Sequence, residues 1–170
     1  MREWSGKRYW LVGASEGLGA ALAHQLARAG VEVIVSARSQ DKLDALVSEL
    51  PGNASSQVVD VSDSASVETA AQVVGDVDGV VFLAGVYWPM TSQNWGASRA
   101  EAMADINFTG AIRVMGSVMP MMQERGSGHL VITGSLSGFR GLPGAIGYAA
   151  SKAGTMALAE SMYADLRGSG

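Results

Sequence analysis

A glycine-rich turn near the start of the chain constrains its fold more than any other feature. The apolar run Tyr9–Val12 ends at Gly13, and Gly17 and Gly19 follow within six residues. Glycines let a buried strand turn sharply into a helix and let the backbone approach a pyrophosphate, which faces the free N–H groups at the helix start. The sequence therefore predicts a strand, an anion-binding turn and a helix that runs from Gly17 to Ala29.

Strand and helix patterns alternate along the rest of the chain. We predict further strands at Val31–Ser36, Gln57–Val61, Gly79–Leu83 and His129–Thr133, and helices at Gln40–Leu50, from Asp63 or Ser64 toward Val74, from about Arg99 to Glu124, and from about Gly147 to Leu166. Pro120 is expected to kink or interrupt the long fourth helix. Five strands separated by helices predict an α/β fold, a doubly wound parallel sheet of the Rossmann type in three α/β/α layers. No repeat or linker divides residues 1–170, so we expect a single domain whose ligand crevice lies at the carboxyl ends of the strands.

Composition argues against several other classes of protein. The chain has no cysteine and only two histidines, His24 and His129, so neither a disulfide framework nor a metal site is expected. A formal charge of −4, with no run of Lys or Arg, argues against nucleic acid as a partner. The longest apolar run, Gly79–Tyr87, is about half the length of a membrane helix, and the first residues lack a signal-peptide pattern. We therefore expect a cytoplasmic protein that does not bind membranes.

A phenol and an ammonium group occur one helical turn apart in the sequence. Tyr148 and Lys152 are spaced so that they share one face of the last predicted helix. A free phenol is a poor base at neutral pH, but a nearby positive charge favours the phenolate. Tyr148 could then give a proton to a carbonyl or remove one from an alcohol. Ser135 follows the end of the fifth predicted strand and precedes Tyr148 by thirteen residues.

These motifs together resemble the short-chain dehydrogenase/reductase family over the whole chain. The resemblance implies an oxidoreductase that interconverts a carbonyl and an alcohol by hydride transfer with a nicotinamide cofactor, with Tyr148 as the general acid/base. It also implies that Ser135 binds the substrate oxygen and that Lys152 binds the nicotinamide ribose. Asn107 matches the family asparagine that distorts its helix and holds a water linking the lysine to solvent. Ser137 remains the alternative to Ser135.

The form of the cofactor is predicted from the residues after the second strand. A carboxylate there would bind the ribose diol of NAD(H) and repel a 2′-phosphate, whereas this chain has Arg38, which can bind that phosphate. NADP(H) is therefore preferred and NAD(H) is possible, unless Arg38 is only a solvated residue. Asp60 and Val61 resemble the family's adenine-binding pair, although Asp60 could instead be a helix cap or simply solvated. The predicted cofactor contacts are Gly13, Ser15, Glu16, Gly17, Leu18, Gly19, Arg38, Asp60, Val61, Ala84, Gly85, Tyr148 and Lys152.

The chain departs from the family pattern in two ways. Val12 replaces a threonine, and Phe82 and Leu83 replace two asparagines of a network between the first and fourth strands; apolar replacement of all partners should leave no polar group unmatched. Family chains are also about half as long again, so this chain is expected to lack the C-terminal third with two strands and a substrate loop, which leaves the fifth strand an open edge.

The resemblance further implies a small-molecule substrate and a homodimer or homotetramer. The alternatives are a non-catalytic NADP(H)-binding regulatory protein, an inactive fragment of a reductase, and an isomerase or dehydratase on the same fold.

Overall fold

Five parallel strands alternate with helices in the described part of the chain. The computed structural model describes residues 3–169, with strands β1 (Arg8–Val12), β2 (Glu32–Ala37), β3 (Ala54–Val58), β4 (Gly79–Phe82) and β5 (His129–Ile132). Their order in the sheet is β3-β2-β1-β4-β5. From β1 the chain adds β2 and then β3 on one side, and it afterwards returns to the other side of β1 to add β4 and β5. The crevice therefore opens at the carboxyl ends of β1 and β4. The predicted doubly wound parallel sheet is confirmed.

Helices cover both faces of this sheet. They are α1 (Gly17–Arg28), α2 (Gln40–Glu49), α3 (Ser64–Val74), α4 (Ala97–Ala104), α5 (Gly110–Arg125) and α6 (Ile146–Asp165). Alternate residues of β1 point to opposite faces: Trp10 and Val12 pack with α3 and α5, whereas Tyr9 and Leu11 pack with α1 and α2. No helix among residues 3–169 is long and apolar enough to cross a membrane.

The third strand begins and ends earlier than the sequence predicts. It spans Ala54–Val58, paired with β2 from Val33 to Ala37, and not Gln57–Val61. The prediction followed the apolar residues around Val59, which are buried beyond the end of the regular ladder. The paired residues are mostly polar, because β3 lies at an edge of the sheet, where its exposed positions tolerate polar side chains.

The predicted long fourth helix is two helices. A π-helical segment, Asp105–Thr109, separates α4 from α5, whereas α5 continues through Pro120 to Arg125. Of the kink or interruption expected at Pro120, the interruption is therefore wrong, and the kink stays a prediction. A proline removes only one main-chain hydrogen bond, whereas the π-helical segment is held by contacts with other elements that local sequence does not reveal.

The fifth strand has an open edge, as expected. Among the described residues β5 pairs only with β4, and a groove of about 620 Å³ lies beside it between the ends of α5 and α6. Met122, Leu130 and Met162 contribute to its apolar lining. A further strand could therefore pair with β5 on this side.

Candidate active site

A cleft of about 270 Å³ lies at the carboxyl ends of the central strands and gathers most of the predicted cofactor residues. Those that line it are Gly13, Ser15, Glu16, Leu18, Gly19, Arg38, Asp60, Val61, Ala84 and Gly85. Gly17 lies in the same turn without lining the cleft, and Tyr148 and Lys152 lie outside the lining. Sequence reasoning missed six of the lining residues: Val12, Ala37, Val59, Leu83, Val86 and Ile106. Each of them is adjacent in sequence to a predicted site residue, and this adjacency is the signal that could have identified it.

Steric contacts explain the glycines of the first turn. Gly13 has a φ of +92°, and a Cβ there would lie 2.5 Å from the Cα of Ala84. A Cβ on Gly19 would lie 2.5 Å from the main-chain oxygen of Gly13. Gly17 has a φ of +58° but open space around it, so its conformation alone favours glycine. The turn is therefore packed tightly against the segment after β4, while the first residue of α1 stays unobstructed.

Arg38 follows β2 and extends into the cleft with an exposed side chain. Its guanidinium forms no hydrogen bond or salt bridge with any residue from 3 to 169. The Asp60 carboxylate accepts hydrogen bonds from the main chain and hydroxyl of Ser62, at 3.0 and 2.6 Å. These bonds, followed by the positive charge of Arg38, lower the pKa of Asp60 below its ordinary value. The Arg38 guanidinium, without a hydrogen-bond partner among the described residues, and the ionised Asp60 carboxylate therefore border this end of the cleft.

Glu16 is paired across the same end of the cleft. Its carboxylate lies 2.6 Å from the Lys42 ammonium on α2, and this hydrogen bond lowers the pKa of Glu16. Both side chains are largely exposed, so the pair contributes little to stability. It does neutralise the negative charge that Glu16 would otherwise bring to an anion-binding turn.

Asn107 is buried in the π-helical segment and binds the chain that follows β4. Its amide oxygen accepts a 2.7 Å hydrogen bond from the main-chain N–H of Val86, and its amide nitrogen donates to the Val86 carbonyl at 3.0 Å. The same nitrogen donates to the hydroxyl of Ser151 on α6, and Thr155 donates to the main-chain oxygen of Asn107. Asn107 thus connects the cleft wall at Gly85 to α6, and the helix is distorted there as the family resemblance implies.

Lys152 and Tyr148 lie on one side of α6. The Lys152 ammonium is 5.9 Å from the centre of the Tyr148 ring and donates a 2.9 Å hydrogen bond to the main-chain oxygen of Thr133. Lys152 is only 4% exposed, and this burial lowers its pKa. The Tyr148 ring packs against Tyr87, with ring centres 4.9 Å apart. Sequence reasoning missed Tyr87, whose only signal was its position two residues after Gly85.

Ser135 and Ser137 form a pair of hydroxyls at the end of β5. Their oxygens are 2.7 Å apart, and Ser135 begins the 3₁₀ turn Leu136–Gly138. This turn packs against α6, because a Cβ on Gly138 would lie 3.0 Å from the main chain of Lys152. The structure therefore brings the predicted serine, its competitor and the lysine to one region. Their catalytic roles stay predictions.

The apolar replacements in the first and fourth strands leave no side chain unmatched. Val12 and Phe82 are fully buried, and among residues 3–169 no buried side-chain nitrogen or oxygen lacks a hydrogen-bond partner. A different polar pair joins the strands here: the indole nitrogen of Trp10 donates to the hydroxyl of Ser36 at 2.8 Å. This pair links β1 to β2, and no pattern in the sequence indicates it.

Comparison with known proteins identifies many relatives. The family model described as short chain dehydrogenase matches residues 7–170. The chain is 37% identical to an uncharacterized oxidoreductase of Myxococcus xanthus (strain DK1622), covering 100% of this chain and 70% of that protein. It is 34% identical to the 1-deoxy-11-beta-hydroxypentalenate dehydrogenase of Streptomyces avermitilis, covering 93% of this chain and 62% of that protein. The chain therefore spans roughly two thirds of the length of these relatives.

Solved structures are similar over nearly the whole chain. The F189W actinorhodin polyketide ketoreductase with NADPH has a TM-score of 0.92 and 26% identity, covering 100% of this chain and 69% of that one. A structure described as a short chain dehydrogenase/reductase family protein has a TM-score of 0.94 at 25% identity, covering 99% of this chain and 72% of that one.

Proposed function

The chain belongs to the short-chain dehydrogenase/reductase family, and we propose that it is built for NADP(H)-dependent interconversion of a carbonyl and an alcohol, with Tyr148 as general acid/base. The observation that carries this proposal is the placement of the Lys152 ammonium, buried and 5.9 Å from the Tyr148 ring centre. A buried ammonium beside a phenol stabilises the phenolate that proton transfer produces.

The cleft residues fit a dinucleotide cofactor. The N-terminus of α1 has no side-chain cap, and its first residue, Gly17, has open space around it, as a bound pyrophosphate requires. Arg38 would hold a 2′-phosphate, because its guanidinium has no hydrogen-bond or salt-bridge partner in the described chain. Asp60 and Val61 would border the adenine, and the main chain at Ala84 and Gly85 would follow the cofactor along the cleft. When bound, the nicotinamide supplies or accepts the hydride.

The proposed chemistry assigns one task to each polar side chain near α6. In the direction of reduction, the carbonyl carbon accepts the hydride while the Tyr148 hydroxyl donates its proton to the carbonyl oxygen, which becomes the alcohol. Ser135 donates a hydrogen bond to that oxygen and stabilises its developing negative charge. Lys152 holds its positive charge beside the tyrosine and favours the phenolate left behind. Oxidation of an alcohol is the reverse of these steps.

Other properties of the protein are proposed from the family. Short-chain dehydrogenases act on small molecules and commonly form oligomers, and we propose a homodimer or homotetramer for this chain. Ile112, on the outer face of α5, is 43% exposed and suits such packing. We also propose a cytoplasmic location. Light scattering of the purified protein tests the oligomeric state, and a monomer would contradict it.

Replacement of the tyrosine tests the central proposal. Tyr148→Phe should lower the rate of NADPH oxidation with a ketone or aldehyde panel by at least about 100-fold, because general acid catalysis is removed. The dissociation constant for NADPH, measured by its fluorescence, should stay nearly unchanged. Tyr163→Phe is the matched control, since Tyr163 lies on the same helix and is 73% exposed.

Two results would contradict the proposal in different ways. Turnover that survives in Tyr148→Phe would require another acid. Tight NADPH binding by the wild-type protein without turnover of any carbonyl or alcohol would favour a nucleotide-binding protein without redox chemistry.

A further inference from the structure

Two hydrogen-bond contacts converge on the hydroxyl oxygen of Ser135. The main-chain N–H of Ser137 donates to it at 3.3 Å, as occurs at the start of a short helical turn. The Ser137 hydroxyl lies 2.7 Å from the same oxygen. Both contacts therefore come from one residue, two positions along the chain.

The hydrogen-bonding capacity of a hydroxyl fixes the direction of one of these contacts and leaves two directions for the other. A serine hydroxyl has one proton to donate and two lone pairs to accept. The Ser137 N–H can only donate, so it occupies one lone pair of Ser135. If the Ser137 hydroxyl donates to the other, the proton of Ser135 is left free for a third partner.

Burial ties the Ser137 hydroxyl to Ser135. Ser137 is 6% exposed, so its hydroxyl is removed from solvent and needs a partner inside the protein. Its side-chain partner in the described structure is Ser135. Ser135 itself is only half-buried, so its free proton can reach a molecule bound in front of α6.

We propose that Ser137 is a positioning residue that fills the second lone pair of Ser135 and so directs the Ser135 proton toward the substrate oxygen. This inference rests on the proposed function, because it assigns Ser135 to the substrate oxygen. It makes Ser135 a fixed donor, suited to an oxygen that gains negative charge as hydride arrives. Ser137 acts through Ser135 and does not touch the substrate.

A double-mutant cycle tests whether Ser137 acts through Ser135. Ser137→Ala should lower kcat about threefold to tenfold, the usual effect of losing one neutral hydrogen bond. KM and the dissociation constant for NADPH should change little. Ser135→Ala should lower kcat by about 100-fold or more, and the double variant should be no slower than Ser135→Ala alone. Ser117→Ala is the control, since among residues 3–169 that hydroxyl bonds only the Val114 carbonyl on α5.

The possible outcomes separate this inference from the proposed function. Wild-type protein without turnover would overturn both. Normal kcat in Ser137→Ala, or an equal further loss when Ser137→Ala is added to Ser135→Ala, would overturn only the positioning role. Weaker NADPH binding by Ser137→Ala would indicate a change in the fold and would also overturn it. Recovery of kcat in Ser137→Thr, which restores a hydroxyl, would support it.

Discussion

The ammonium group of Lys152 donates a 2.9 Å hydrogen bond to the main-chain oxygen of Thr133, the residue after β5. This bond attaches α6 to the carboxyl end of the sheet, two residues before Ser135. Among residues 3–169 no carboxylate forms a salt bridge with Lys152. A buried charge that is solvated by a carbonyl dipole keeps its field available to the neighbouring Tyr148, because no counter-ion neutralises it.

The burial of Lys152 predicts a specific dependence of stability on pH. Because burial lowers the pKa of Lys152 in the folded protein below 10.5, the unfolded chain binds more protons in the window between the two values. The free energy of unfolding of the wild type, relative to Lys152→Met, should therefore rise with pH through that window, by at most about 1.4 kcal/mol per pH unit. This relative free energy of unfolding should be lowest below the folded-state pKa of Lys152, where the buried amine is fully protonated. Urea unfolding of both proteins from pH 7 to 10.5 measures this, and a constant difference would contradict it.

The residues of the cofactor cleft could be predicted because their signals are local. Gly13, Arg38 and Asp60 each follow a strand within a few residues, and parallel strands place their carboxyl ends together at one edge of the sheet. The spacing of Tyr148 and Lys152 is likewise a property of a single helix. Such features need only the correct order of elements, which the alternating apolar patterns indicate.

Features that depend on contacts between distant segments could not be predicted in this way. The π-helical segment at Asn107 is stabilised by Val86 and Ser151, which are 21 and 44 residues away. The packing of Tyr87 on Tyr148 joins the segment after β4 to the first turn of α6, which are far apart in sequence. No local pattern encodes these pairs.

The close approach of Gly13 to the segment after β4 predicts that alanine is poorly tolerated there. Gly13→Ala would place a Cβ 2.5 Å from the main chain of Ala84, in a backbone conformation that also disfavours a side chain. Because main chain cannot move aside cheaply, we expect a loss of about 2 to 4 kcal/mol in the free energy of unfolding. Gly116→Ala is the matched control: that position is inside α5 with open space, and alanine there should stabilise by about 0.5 to 1 kcal/mol. Urea unfolding measures both, and equal effects would contradict the packing argument.

The buried pair between Trp10 and Ser36 predicts a cost that depends on both partners. Ser36→Ala leaves the indole N–H of Trp10 buried without an acceptor, which should lower the free energy of unfolding by about 1 to 3 kcal/mol. In a Trp10→Phe background the same change should cost much less, because no donor remains to be satisfied. Thermal or urea unfolding of the four proteins completes the cycle. Additive losses would show that the hydrogen bond does not couple the two residues.

The guanidinium of Arg38, which has no hydrogen-bond or salt-bridge partner in the described part of the chain, predicts the choice between the two nicotinamide cofactors. Loss of its charge-assisted hydrogen bonds in Arg38→Ala should weaken NADPH binding by about 10- to 100-fold and leave NADH binding nearly unchanged, because only NADPH carries a 2′-phosphate. Arg38→Asp should reverse the preference, since a carboxylate repels that phosphate and can bind the ribose diol. Arg28→Ala is the control, because that exposed arginine lies at the C-terminal end of α1, whereas the cleft lies at its N-terminal end. Cofactor fluorescence measures the dissociation constants for NADPH and NADH. An equal loss of affinity for both cofactors in Arg38→Ala would mean that Arg38 binds the part of the adenosine that they share and does not select NADP(H).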